Sequence, residues 1–202
     1  MILTDELLLS YQRCPRRTFL DICGDWTQIQ TPSDFVLKLR RDSRIHQQTV
    51  ASGQIHHQPN HSRRDWQSGV GGTLELMQMG VERIYQGVLT ADGGEGVTLL
   101  SRPDLLVKQS GKSKFGDWIY VPTSIKLGKR SKPEYKVEAA FQAYVLANIQ
   151  GVLPPTAWLV LRERRNYAVN LDQWLPQMQL VVQNCLEMLR SQAEPEVFIS
   201  RQ

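Results

Sequence analysis

The sequence contains little cysteine, no long apolar run and no secretory signature. Its three cysteines, Cys14, Cys23 and Cys185, are too few and too widely spaced for a disulfide framework. No apolar segment approaches the roughly 20 residues that a membrane-spanning helix needs. The first residues, Met1 to Glu6, also lack the basic and then apolar pattern of a secretory signal. These absences exclude a disulfide-stapled secreted module, and they predict a cytoplasmic protein without a membrane partner.

Charge is only mildly one-sided, but the basic residues are clustered. The chain has 24 lysines and arginines against 20 aspartates and glutamates, a net charge of +4, which alone favours a polyanionic partner weakly. Any single cluster is better explained as a solvated face, whereas the four clusters together favour nucleic acid as the binding partner. The clusters are Arg13, Arg16 and Arg17; Lys38, Arg40, Arg41 and Arg44; Lys126, Lys129, Arg130 and Lys132; and Arg162, Arg164 and Arg165.

Length and hydrophobic periodicity predict a single α/β domain over residues 1–202. The chain is long enough for a substantial core, and its 41% hydrophobic content is ordinary for a globular protein. The periodicity predicts a central mixed sheet flanked by helices on both sides. The predicted helices cover Asp5 to Gln12, Asp34–Val50, Arg64 to Met79, Glu134 to Ile149 and Leu171 to Ser191. The predicted strands cover Val81–Thr90, Val97–Lys108, Trp118–Lys126, Ala157–Leu161 and Tyr167–Val169.

Two of these strands carry groups that suit phosphodiester chemistry. Asp104 lies at the start of an apolar run, and Lys126 ends the next one, on the same strand face as Ser124. A carboxylate there would bind Mg²⁺ or Mn²⁺, hard ions that prefer oxygen and that lower the pKa of bound water. A lysine beside it could orient that water or offset charge on the phosphate. From the residues alone a simpler interpretation stays open, in which Asp104 caps a turn and Lys126 is a solvated strand end.

The order of motifs over most of the chain resembles the RecB-like branch of the PD-(D/E)XK nuclease superfamily, and in particular nucleases related to the CRISPR-adaptation exonucleases. Ser10–Leu20 resembles the N-terminal cysteine segment of that branch, and Arg44–His46 resembles its helical histidine motif. Arg102–Asp104 resembles its aspartate motif, and Thr123–Lys126 stands where the branch has Asp-x-Lys. The resemblance implies a restriction-endonuclease-like fold in which His46 and Asp104 bind Mg²⁺ or Mn²⁺ and Lys126 is catalytic.

The sequence departs from that pattern at the second acidic ligand. Ser124 stands in its place, and a hydroxyl is a poor substitute for a carboxylate at a divalent ion. On the helix that follows, Glu138 and Gln142 replace the glutamine and tyrosine of the branch. Some restriction endonucleases of the superfamily carry Ser-x-Lys and supply the glutamate from the next helix. By this resemblance Glu138 is expected to be the missing metal ligand, with Ser124 and Gln142 in supporting positions.

The resemblance also implies an iron–sulfur cluster, which this sequence does not provide for. The branch uses one N-terminal cysteine and three near the C-terminus. Cys14 matches the first, whereas Cys185 lies on the apolar face of a predicted helix and is better explained as core. The sequence given ends at Gln202, where the cysteine-rich tail would begin. We therefore expect Cys14 to be a remnant and no four-cysteine cluster to assemble.

These features together predict a metal-dependent nuclease that acts on DNA single strands or ends, in repair or processing, with a helicase as a candidate partner. The basic loop of Lys129, Arg130 and Lys132 follows the expected catalytic lysine and is predicted to contact phosphates. The alternative is a DNA-binding or scaffolding domain that kept the fold and lost catalysis. The position of the Glu138 carboxylate should discriminate between the two.

Overall fold

The structure is a computed structural model that describes residues 1–25, 27, 30–53, 56–62 and 65–196, which form a mixed α/β fold. The helices are α1 (Asp5–Arg13), α2 (Pro15–Cys23), α3 (Asp34–Ala51), α4 (Trp66–Gln78), α5 (Pro133–Gln150) and α6 (Leu171–Ser191). The strands are β1 (Ile2–Thr4), β2 (Arg83–Tyr85), β3 (Leu89–Asp92), β4 (Thr98–Ser101), β5 (Leu105–Ser113), β6 (Gly116–Ile125), β7 (Ala157–Val160) and β8 (Asn166–Val169).

The strands form two mixed sheets with helices packed against them. The larger sheet has five strands in the order β2-β5-β6-β7-β8, in which only β6 and β7 are parallel neighbours. The smaller has the order β1-β4-β3, with β1 parallel to β4 and β3 antiparallel to it. The predicted class, α/β with mixed pairing and flanking helices, is confirmed. The prediction of a single central sheet is wrong.

Two predicted strands divide because local residues interrupt them. Residues 102–104 break the run predicted over Val97–Lys108, so that β4 and β5 enter different sheets. Pro103 lies in this break, where its missing N–H makes continued sheet pairing unfavourable. The run predicted over Val81–Thr90 breaks after Tyr85, where Gln86 has a positive φ of 51°. The break at residues 102–104 matters for function, because it places Asp104 just ahead of β5.

Helix α5 runs through the centre of the fold. Its small residues Ala139, Ala140 and Ala143 are fully buried, and the helix contacts α1, α6 and strands of both sheets. Pro133 begins the helix, and Gly151, at φ 77°, ends it in the left-handed conformation that glycine favours. Because Glu138 and Gln142 are four residues apart on this buried helix, they lie on the same face.

Helix α3 is largely exposed. The only residue of α3 that is buried among those described is Ala51, and its Phe35 is 69% exposed. The predicted start of the following helix, Arg64, lies outside the described residues, and α4 begins at Trp66 with the Asp65 side chain as its cap. No helix in the described ranges has the length and apolar character needed to cross a membrane.

Candidate active site

A polar cleft of about 420 Å³ lies where α1, α3 and α5 meet the end of β6. Its lining combines four acidic residues with basic and amide side chains. The charged and amide residues are Asp5, Glu6, Arg13, Gln47, Arg102, Asp104, Lys126 and Glu138. Three residues that the sequence predicted to be catalytic therefore line one cavity. Asp104 comes from the turn before β5, Lys126 from the end of β6 and Glu138 from the second turn of α5.

Glu138 reaches from α5 to the lysine at the end of β6. The Nζ of Lys126 lies 2.6 Å from the Glu138 carboxylate, and Oε1 accepts its hydrogen bond. The Glu138 side chain is 6% exposed and that of Lys126 is 14% exposed. Oε2 shares the ion pair but is buried and accepts no hydrogen bond from the described residues. The glutamate that the sequence predicted to replace the missing carboxylate thus points into the cleft and not to solvent.

Burial and the ion pair both shift the pKa values of Glu138 and Lys126. Desolvation raises the pKa of Glu138 to about 7, although Lys126 acts to lower it. Desolvation acts to lower the pKa of Lys126, but the carboxylates of Glu138 and Asp104 outweigh it and raise that pKa. Lys126 therefore carries its positive charge at neutral pH, as a phosphate-binding or water-orienting lysine must.

Asp104 is held by two hydrogen bonds from neighbouring elements. Its Oδ2 accepts from the backbone N–H of Ile125 at 2.6 Å, and its Oδ1 accepts from Nε2 of Gln47 at 2.9 Å. Desolvation raises its pKa to about 6; Lys126 and the Ile125 amide oppose this rise, and Asp5 and Glu6 add to it. Each oxygen still has a lone pair free, because a carboxylate offers about four acceptor positions.

Behind the cleft lies a buried chain of hydrogen bonds that ends on Asp5. The Ser124 hydroxyl donates to Oε1 of Gln142 at 2.8 Å, and Nε2 of Gln142 donates to Oδ2 of Asp5 at 3.2 Å. Asp5 also accepts from the Arg102 backbone N–H at 2.7 Å and from the Ser101 hydroxyl at 3.2 Å. Ser124 and Gln142 do not line the cleft, and both are buried.

Sequence reasoning missed Asp5 as a site residue. An aspartate in the first turn of a helix is common because it interacts favourably with the helix dipole. With Thr4 as the cap before it, nothing in the local sequence marks this carboxylate as buried at 3% exposure. Only the tertiary packing of α1 against α5 reveals its place.

His46 is not brought to the cleft with the other expected ligands. Its Nε2 is buried without a hydrogen-bond partner among the described residues, and burial together with Arg162 lowers its pKa. The next residue, Gln47, lines the cleft and contacts Asp104. Adjacent helical residues point about 100° apart, so His46 and Gln47 face different surroundings.

The remaining predicted residues lie at the surface. Lys129, Arg130 and Lys132 are exposed in the loop between β6 and α5, next to Gly128, which lines the cleft. Lys132 Nζ is 3.9 Å from Glu134. Cys14 is an exposed free thiol between α1 and α2.

The carboxylates of the cleft are the side chains that could hold a divalent cation. Over the part of the chain that the structure describes, no three His, Cys, Asp or Glu side chains group as metal ligands. Asp104 and Glu138 still offer carboxylate oxygens, which Mg²⁺ and Mn²⁺ prefer, and Glu138 Oε2 is a buried oxygen without a hydrogen bond. Burial raises the pKa of both groups although Lys126 acts to lower it, and a bound cation would favour their charged forms further.

No protein-family model matches this chain, and no curated protein matches it significantly. The geometry of the cleft is therefore the basis on which its function has to be inferred.

Proposed function

We propose that this protein is a metal-dependent nuclease of the RecB-like PD-(D/E)XK type, with a restriction-endonuclease-like fold, that hydrolyses phosphodiester bonds of DNA. The observation that carries the proposal is the meeting of Glu138 with Lys126 in the cleft that Asp104 also lines. A carboxylate from the helix after the strand compensates for Ser124. The motif order of the sequence supports single strands or ends as substrate, and a helicase as partner in repair or processing.

Each group of the cleft has a distinct part in this reaction. Asp104 and Glu138 would hold Mg²⁺ or Mn²⁺, which when bound supplies a water of lowered pKa and offsets charge on the phosphate. Lys126 is protonated and donates to a phosphate oxygen or to the attacking water, exchanging its hydrogen bond with Glu138 for one with the substrate. The Ile125 N–H fixes Asp104, and Asp5 holds Gln142 beneath the cleft.

A second candidate function is a catalytically inactive DNA-binding or scaffolding domain. The observation that favours it is the same ion pair, because Glu138 at 2.6 Å neutralises the lysine that catalysis needs. In this case the pair would serve stability and the basic loop would bind phosphates without cleavage.

Cleavage of end-labelled single- and double-stranded DNA in Mn²⁺ or Mg²⁺ tests the choice. We expect metal-dependent cleavage by the wild type and a loss of roughly 100-fold or more in Lys126→Ala, since removal of one group that stabilises the transition state typically costs that much. Lys112→Ala, an exposed lysine at the far end of the β5–β6 hairpin, is the matched control and should cleave normally. DNA binding without cleavage would support the inactive domain, and equal cleavage by Lys126→Ala would refute this active site.

A further inference from the structure

Helix α3 lines the candidate active site with Leu39, Ser43 and Gln47, and of these Gln47 contacts a candidate metal ligand. Its side-chain Nε2 lies 2.9 Å from Oδ1 of Asp104, the carboxylate expected to bind metal. Among the hydrogen bonds of the described residues, this is the only one that joins an α3 side chain to another element. Leu39, Ser43 and Gln47 are spaced four residues apart and lie on the same helix face, so Gln47 belongs to the face of α3 that turns towards the cleft.

The neighbouring histidine has different surroundings. His46 does not line the cleft, and the charge that influences its pKa is that of Arg162, from the loop after β7. A cation near Arg162 would be repelled. A cation at Asp104 Oδ1 would lie in a cleft whose four carboxylates outnumber its three cationic side chains, Arg13, Arg102 and Lys126. The charges thus favour a cation beside Gln47 over one beside His46.

We propose that Gln47, and not His46, is the ligand that α3 contributes to the divalent ion of this cleft. The inference rests on the proposed function, in that it assumes the metal held by Asp104 and Glu138. A glutamine amide carries a carbonyl oxygen and an NH₂ group on one carbon, so the same side chain can donate to a free carboxylate or present its oxygen to a cation. The resulting ligand set is all oxygen, which suits Mg²⁺ or Mn²⁺ better than the softer ions that imidazole binds.

Two reciprocal substitutions distinguish the neighbouring residues. Gln47→His replaces the proposed oxygen ligand with a nitrogen ligand, and it should raise the affinity for Zn²⁺ relative to Mn²⁺ by about tenfold or more. His46→Gln should leave that ratio within about twofold of the wild type. Both affinities are measured by calorimetry on the whole chain, without DNA, so that nuclease activity does not enter the result.

A third variant measures the strength of the contact. Gln47→Leu keeps the bulk of the side chain and removes the oxygen, and we expect it to weaken Mn²⁺ binding by about tenfold. Thermal unfolding of each variant shows whether the fold is retained. If Gln47→Leu is unfolded, the Zn²⁺ to Mn²⁺ ratio of Gln47→His alone decides.

The outcomes separate this inference from the proposed nuclease function. If Gln47→His changed the ratio of Zn²⁺ to Mn²⁺ affinity while the wild type cleaved no DNA, the result would support Gln47 as a metal ligand and refute the nuclease function. If the wild type cleaved DNA and the affinity ratio were the same in Gln47→His and the wild type, only the assignment of Gln47 as a metal ligand would be refuted. A ratio altered by His46→Gln and not by Gln47→His would show His46 to be the ligand. A wild type that binds no Mn²⁺ would overturn the ligand and the metal-dependent mechanism together.

Discussion

Asp104 and Glu138 lie where burial disfavours their negative charge. Desolvation raises the pKa of Asp104 from 3.8 to about 6 and that of Glu138 from 4.5 to about 7. A carboxyl group whose pKa is higher in the folded state stabilises the fold while it is protonated in that state. The stabilising contribution of Asp104 to the free energy of unfolding is therefore fully present below about pH 4, and it is lost as the pH rises through about 6. Cation-binding sites are often built at such a cost to stability, because the charge is needed for binding.

Removing the titrating carboxyl of Asp104 should therefore flatten the pH dependence of stability. In Asp104→Asn the amide can still accept the Ile125 N–H, so the fold should be retained. The free energy of unfolding of the wild type, minus that of the variant, should fall by on the order of 3 kcal/mol between pH 4 and pH 7, since one pKa unit corresponds to about 1.4 kcal/mol. Urea unfolding at several pH values in chelator provides the measurement. Parallel curves for the two proteins would show that Asp104 is not desolvated.

The sequence predicts some residues of the cleft and misses others for a clear physical reason. Asp104 and Lys126 follow from the motif order, and Glu138 follows from the resemblance to nucleases that carry Ser-x-Lys and supply the glutamate from the next helix. Gln47 does not, because the apolar side chains of α3 do not mark a buried face: Phe35, Leu37, Leu39 and Ile45 are all exposed by 45% or more. Because the apolar residues of this helix are not buried, hydrophobic periodicity cannot say which of two adjacent residues turns towards the site.

At the scale of elements, the long helices and the short strands β7 and β8 are predictable, whereas β1 and the division of the strands between two sheets are not. The sequence predicts α6 over Leu171–Ser191, the same bounds that the structure has, since its apolar residues recur over many turns. The three-residue strand β1 is too short to show any alternation, and it exists because it pairs with β4. The division into two sheets also depends on pairing between distant segments, which local sequence does not encode.

Helices α3 and α5 should differ strongly in local stability. Eleven residues of α5 are buried, whereas α3 buries Ala51 alone and is joined to the cleft by the Gln47 contact. Regions with few buried apolar contacts open at low free energy. Hydrogen exchange followed by mass spectrometry should therefore show α3 amides exchanging at least about 100-fold faster than those of α5. Equal protection would mean that a partner or a second copy covers the exposed apolar side chains of α3.

At the scale of the whole molecule, the net charge of +4 matters less than its placement. Lys129 and Arg130 are exposed directly beside the cleft, while Lys112 and Lys114 are exposed at the tip of the β5–β6 hairpin. Strand β6, from Gly116 to Ile125, separates the two pairs by about 30 Å, given a rise of about 3.4 Å per residue. The chain thus contains two equal basic pairs, of which only one is next to the proposed site of cleavage.

Neutralising these two pairs should affect DNA binding differently. In Lys129→Ala/Arg130→Ala, loss of phosphate contacts should weaken binding to single strands of any sequence about equally. It should also flatten the slope of log affinity against log salt by up to about 1.4, because each phosphate contact on a single strand contributes about 0.7 through counterion release. Lys112→Ala/Lys114→Ala changes the net charge by the same amount and should leave the slope close to that of the wild type. Lys132 is kept in both variants, because Glu134 lies 3.9 Å from its ammonium group.

Fluorescence anisotropy at several salt concentrations measures both slopes. If the hairpin variant lost as much of the slope as the loop variant, binding would depend on overall charge, and a DNA path beside the cleft would be refuted.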